Sequence, residues 1–243
     1  MTCAWKVKMY EGKVVDIHKQ LGLLWTAYVE SVLENAAADV FGVGRRKLAQ
    51  MRSETAVDLS HYMTLYSSTD ADGEIDCDIW DSTVETEFAL RRKLNMIGVD
   101  IDAVNREIPI PDTFGQSWHS EAEWEQYKWR KQYIESMEKK QNVYWSVALL
   151  WWNGEGYGAV RLLRYYRDIR RRYVEFAGIF LRHKDGWNNR MKKMVEAEQK
   201  RLISRGVEME DITPSVEKTL PVDYSVNEII RNLHLISLNE FQK

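Results

Sequence analysis

Apolar positions near the start of the chain recur at spacings of three and four. Val14, Ile17, Leu21, Leu24, Tyr28 and Val32 fall on one stripe, which predicts a helix over about residues 11–38 with a single buried face. The segment FGVGRRKLAQM at 41–51 breaks that period, because its two glycines end one helix and a new helical pattern starts at Arg45. A further helix is predicted around 83–96. IPIPDTFGQSW at 108–118 has no periodicity and holds two of the four prolines, so it reads as a linker between halves. Ser120 with Glu123 three residues on is a capping box opening a helix to Trp152. That helix carries Trp124, Tyr127, Trp129, Tyr133, Tyr144, Trp145, Trp151 and Trp152, a density that fits core or interface better than a cofactor site. After an irregular stretch at 214–220, Ser225 and Glu228 open another capping box. Val226, Ile229, Ile230, Leu233 and Ile236 give the helix that follows one apolar face, which packs on the body.

Self-similarity along the chain reorganises these elements. Gly42, Gly44, Lys47 and Leu48 match Gly156, Gly158, Arg161 and Leu162 as G-x-G-x-x-[KR]-L. Downstream, RRKLNMIGVDID (91–102) matches KRLISRGVEMED (200–211) at Leu94 and Leu202, Gly98 and Gly206, Val99 and Val207. The separations are similar, 56 residues from Gly42 to Gly98 and 50 from Gly156 to Gly206. The expectation is therefore an all-α, two-lobed protein built from an internal duplication: repeat one over 1–105, a linker over 106–119, repeat two over 120–213, and a tail with an amphipathic helix over 214–243.

Composition supports helices and excludes a disordered chain. The 243 residues are 44% hydrophobic and 12% aromatic, with only 13 Gly and 4 Pro. Cys3 and Cys77 make no disulfide framework, and no apolar run approaches the length of a signal core or a membrane span. The expectation is a soluble protein of the cytoplasm, the host's if the gene is viral, with no membrane partner. Net charge is only −3 but unevenly spread: residues 1–105 sum to −6 and residues 106–243 to +3, while 161–205 alone reach +9.

Three features carry candidate chemistry. In SSTDADGEIDCDIWD (67–81) the DADG core invites a calcium-loop reading, with Gly73 at the obligatory glycine and Asp70 and Asp72 as ligands. Ser68 and Ile79 then occupy the first and last ligand positions, where carboxylates are needed. The stretch reads instead as an acidic surface segment, and no metal or other cofactor is expected. The Gly-x-Gly turns read either as helix punctuation or as anion sites, since free N–H groups at helix starts attract phosphate and Arg45, Arg46, Lys47 and Arg161 add charge. In RLLRYYRDIRRRYVEF, Arg161, Arg164, Arg167 and Arg171 share one helical face, flanked by Arg170 and Arg172. Leu162, Leu163, Tyr166, Ile169 and Tyr173 form the opposite side. The alternatives for these arginines are pairing with acids such as Asp168 and Glu175, or phosphate recognition. The five histidines are scattered, no GxSxG, HExxH or P-loop occurs, and a non-catalytic protein is expected.

Two resemblances attach to these residues. VFGVGRRKLAQM resembles the turn and second helix of helix-hairpin-helix DNA-binding motifs through Val40, Gly42, Val43, Gly44, Leu48 and Met51, with Phe41 where Pro is usual. FGVGRRKL is also similar to the [FY]-G-[FY]-G-K-K-R-L stretch of uncharacterised helical proteins of phages and prophages of Gram-positive bacteria. Phe41, Gly42, Gly44, Arg45, Arg46, Lys47 and Leu48 carry that likeness, with Val43 in place of the usual aromatic. It implies a viral accessory protein and supplies no catalytic residue.

These readings lead to a protein that binds nucleic acid or a nucleoprotein, such as a host defence or regulatory complex. The binding set is Gly42, Gly44, Arg45, Arg46, Lys47, Gly156, Gly158, Arg161, Arg164, Arg167, Arg171 and Arg172. One alternative is an acidic mimic of nucleic acid that fills a basic groove of a host protein partner with Asp70, Asp72, Asp76, Asp78 and Asp81. Another is a virion or scaffold component that forms a homo-oligomer through the Trp-rich helix.

Overall fold

In the computed structural model, residues 6–8, 14–65, 79–111, 121–182 and 186–208 are described. They form seven helices in chain order: α1 (Ile17–Phe41), α2 (Arg45–Leu65), α3 (Ile79–Met96), α4 (Ile101–Glu107), α5 (Glu121–Gly154), α6 (Ala159–Arg182) and α7 (Trp187–Ser204). The expected all-α class is what is found, with one small addition. A short antiparallel ribbon, β1 (Lys6–Lys8) and β2 (Val14–Asp16), pairs Val7 with Val15. The first helix therefore begins at Ile17 and not near residue 11, because β-branched Val14 and Val15 are drawn into strand pairing. The acidic segment 66–78, the chain at 112–120 and everything from residue 209, including the predicted last helix, lie outside the described residues.

Sequence punctuation explains where most helices stop. At the end of α3, Val99 N–H donates to Leu94 O at 2.9 Å and Gly98 N–H to Asn95 O at 3.1 Å, with Gly98 at φ 80°. This is a Schellman ending, which needs a left-handed residue and seals itself with an apolar contact. The end of α7 repeats it: Val207 N–H to Leu202 O at 3.2 Å, Gly206 N–H to Ile203 O at 2.9 Å, and Gly206 at φ 83°. Leu94, Val99, Leu202 and Val207 are all buried. The Leu-Gly-Val blocks aligned in the sequence are thus two copies of one helix terminator. The short α4 was not anticipated, although Asp100 caps it by accepting from Ala103 N–H at 2.9 Å.

The chain divides into two compact units, each discontinuous in sequence. One comprises Met1–Ser31, Asp112–Lys131 and Phe176–Lys243; the other comprises Val32–Pro111 and Gln132–Glu175. Neither coincides with either of the repeats expected from the sequence. In the first, Trp25 meets Phe176 and Phe180 edge-on at 5.1 and 5.9 Å, and Tyr28 stacks on Phe176 at 3.9 Å. Arg130, though buried, donates to Phe180 O at 2.7 Å and lies 5.3 Å from the Phe180 ring. Its charge is therefore met by a carbonyl dipole and a π-face.

The second unit is built around the C-terminal turns of α1, the Trp-rich part of α5 and the apolar side of α6. Trp145 meets Tyr166 and Tyr173 edge-on at 5.9 and 4.9 Å, and the Tyr165 hydroxyl donates to Leu33 O at 3.2 Å. α3 packs by Leu90 against Val143 and Val147, with Leu59, Tyr62 and Leu150 around them. Burial along α1 is not confined to the expected stripe: Val32, Leu33, Glu34, Asn35, Ala36 and Ala37 are consecutive and all buried. A helix surrounded by neighbours must hide every face, including its polar positions, and Glu34 does so by accepting from Arg52 Nε and Nη2 at 2.7 Å each.

Candidate nucleic-acid interface

The two Gly-x-Gly turns share a left-handed first glycine and a helix-opening second glycine, while the helix ends that enter them are bonded differently. Gly42 and Gly156 take φ 69° and 89°, and each ends a long helix, α1 or α5. Gly44 O then accepts from Lys47 and Leu48 N–H at 3.0 and 3.2 Å, and Gly158 O accepts from Arg161 and Leu162 N–H at the same two distances. Each second glycine is thus the N-cap of the next helix. Leu48 and Leu162, four residues on, are buried and anchor α2 and α6. Turn and anchor together are the physical content of the G-x-G-x-x-[KR]-L match.

Both turns lie in the second unit and meet there. Phe41 and Tyr157 pack with ring centroids 4.3 Å apart, over Trp152 and Tyr165, which lie 4.6 and 5.0 Å from Phe41. Beside them the Lys47 ammonium pairs with Glu155, bonds Gln50 Oε1 at 3.0 Å and sits 5.0 Å from the Trp151 ring. Trp151 Nε1–H in turn donates to Glu54 Oε2 at 2.7 Å. That bond, helped by the Gln50 amide, holds the Glu54 carboxyl below its ordinary pKa. Gln50, Glu54 and Glu155 were not picked out from the sequence, and Trp151 was read there only as part of an aromatic core or interface. Lys47 and Glu155 are 108 residues apart, and no local pattern announces such a pair.

All twelve residues read as a binding set from the sequence fall in this unit. Their situations differ. Arg45, Arg46, Arg161, Arg164 and Arg171 are exposed, and Arg161 lies 5.9 Å from the Tyr157 ring. Arg46, Arg164 and Arg171 make no ion pair or hydrogen bond among the described residues. Lys47 is engaged as above, Arg167 Nε bonds Glu107 at 3.0 Å, and Arg172 reaches Asp39 and Asp168 at 3.0 and 2.9 Å. Arg170 does not flank the exposed stripe at all. It is buried, donates to Ile108 O at 3.0 Å and pairs with Glu138 at 2.5 Å, so it ties α6 to α5 and to the chain after α4. A periodicity of three and four cannot separate these roles, because acids that arrive from distant segments decide which arginines are neutralised.

A second polar cluster is partly buried. Arg91, Glu87 and Asp102 form paired contacts, and Asn142 Nδ2 donates to Glu87 Oε1 at 2.8 Å. Tyr166 donates to Asn105 Oδ1 at 2.8 Å. Burial alone lowers the Arg91 pKa, but Glu87 and Asp102 outweigh it and raise the value, while burial lifts those of Tyr165 and Tyr166. These groups join α3, α4, α5 and α6. Of the acidic set, Asp70, Asp72, Asp76 and Asp78 lie outside the described residues, as does the calcium-loop reading, and Asp81 is placed only as backbone of α3. Among the described residues no group of three or more His, Cys, Asp or Glu is placed to hold a metal ion, and no helix is long and apolar enough to cross a membrane. No known family, curated protein or solved structure matches the chain.

Proposed function

We propose that the protein is a non-catalytic phage or prophage accessory factor that binds nucleic acid, free or within a nucleoprotein, through the surface where its two Gly-x-Gly turns meet. The observation that carries this reading is the arrangement of cations in the second unit. Two helices that leave the joined turns carry exposed Arg45, Arg46, Arg161 and Arg164, and Arg171 extends the α6 side. Arginine suits phosphate because its planar fork gives two parallel hydrogen bonds and sheds water readily. The phage assignment is supported by the likeness of residues 41–48 to helical phage proteins. The duplication belongs to the same reading and is supported by the matching turn and terminator geometries.

Fluorescence anisotropy with labelled oligonucleotides tests the proposal. The wild-type chain is expected to bind at about 50 mM salt and to lose affinity steeply by about 200 mM, because released counterions drive association. Arg46→Glu, Arg164→Glu and Arg171→Glu together should weaken binding and flatten the salt dependence. Absence of binding to duplex DNA, single strands and RNA at low salt would refute direct nucleic-acid recognition. The acidic-mimic alternative is then the one to pursue, by charge reversal at Asp76, Asp78 and Asp81.

A further inference from the structure

We infer that the ligand of this surface is single-stranded nucleic acid, one unpaired base of which stacks on the Tyr157 ring that Phe41 backs. The inference rests on the nucleic-acid reading above and narrows it. The rings arrive from different turns, Phe41 closing α1 and Tyr157 standing between the glycines of the second turn. Their centroids are 4.3 Å apart with the planes inclined at 41°, so each ring braces the other, and both are only partly buried. Trp152 and Tyr165, fully buried, support Phe41 from below, and Trp152 lies edge-on to Tyr157 at 5.4 Å. A ring held this way is ordered before a ligand arrives, so stacking on it costs little conformational entropy. The Tyr157 hydroxyl is bonded to no described residue, and the Arg161 guanidinium lies over the ring, 5.9 Å from its centroid, as a cation next to a stacked base. Exposed Arg45, Arg46 and Arg164 provide neighbours for the phosphates on either side of a stacked base.

This combination distinguishes strand types. A duplex presents phosphates but hides the faces of its bases in the stack, so it can use the arginines and not the rings. A single strand can use both, and base–aromatic stacking tolerates any base.

The test compares labelled oligothymidylate, a hairpin duplex and an abasic strand of the same length on the full chain. Oligothymidylate should bind more tightly than the duplex, and the abasic strand should bind about 5- to 150-fold more weakly than oligothymidylate. Tyr157→Leu should lose affinity for oligothymidylate over the same range and leave the duplex unaffected, while Tyr157→Phe restores it. Equal affinity for the abasic and thymidylate strands overturns the stacking site, and that comparison needs no variant to fold. If Arg46→Glu with Arg164→Glu weakens both ligands while Tyr157→Leu changes neither, the broader nucleic-acid reading stands and stacking falls. Binding to none of the three probes removes both.

Discussion

At the scale of single residues, neighbouring positions of one motif have opposite requirements. Gly42 and Gly156 sit at positive φ, and an added Cβ at either would meet nothing within 4 Å. Gly42→Ala and Gly156→Ala should therefore cost only the left-handed backbone penalty, about 1–2 kcal/mol each. Gly44 and Gly158 are N-caps without that constraint, and Gly44→Ser should be neutral or stabilising because a hydroxyl can accept from the first turn of α2. Urea unfolding of the three variants separates the two cases, and equal losses at Gly42 and Gly44 would mean that the two glycines do not differ in their backbone requirement. A pH effect belongs to Glu54. Its carboxyl is held below the ordinary value by Trp151 and Gln50, so its stabilising contribution is present above about pH 4.3, the unfolded value. That contribution disappears as pH falls through the folded value. The difference in melting temperature between wild type and Glu54→Gln should accordingly be larger at pH 7 than in the acid range. In a Trp151→Phe background, which lacks the indole donor, the difference should depend less on pH.

At the scale of elements, α6 shows how far a helical pattern determines fate. Its apolar side was legible, and Leu162, Tyr166, Ile169 and Tyr173 are buried as their spacing implies. The fates of Arg170 and Arg171, adjacent and chemically identical, were not. Arg170→Ala removes a buried guanidinium that bonds both Ile108 O and the partly exposed Glu138, which should destabilise by about 1.5–3 kcal/mol. Arg171→Ala, on the exposed face, should stay within about 0.5 kcal/mol of wild type. Chemical denaturation of both variants checks this contrast, and a small loss at Arg170 would mean that its pair with Glu138 is not needed. Helix ends were legible wherever a glycine or a capping residue marked them, as at Gly98, Gly206 and Gly44. The ribbon at Val14–Asp16 and the start of α1 were not, because β-branched residues at a helical period satisfy both patterns until a partner strand selects one.

At the scale of the whole molecule, net charge argues against indiscriminate binding, since a chain at −3 has no overall attraction for a polyanion. Any association must come from a local field, and exposed charges are screened beyond about 10 Å at 0.1 M salt. Hence the expectation of steep salt dependence with little effect from distant substitutions. The sequence by itself determined the helical class, most helix ends, the paired turns and which aromatic residues are suited to a core, because these depend on local backbone preference and on the periodicity of apolar groups. Only the tertiary structure decided that the two turns meet through Phe41 and Tyr157, that Lys47 pairs with Glu155, and which arginines of α6 remain exposed. Those outcomes depend on packing and on charges brought together from segments 32 to 133 residues apart, and no local pattern encodes such separations.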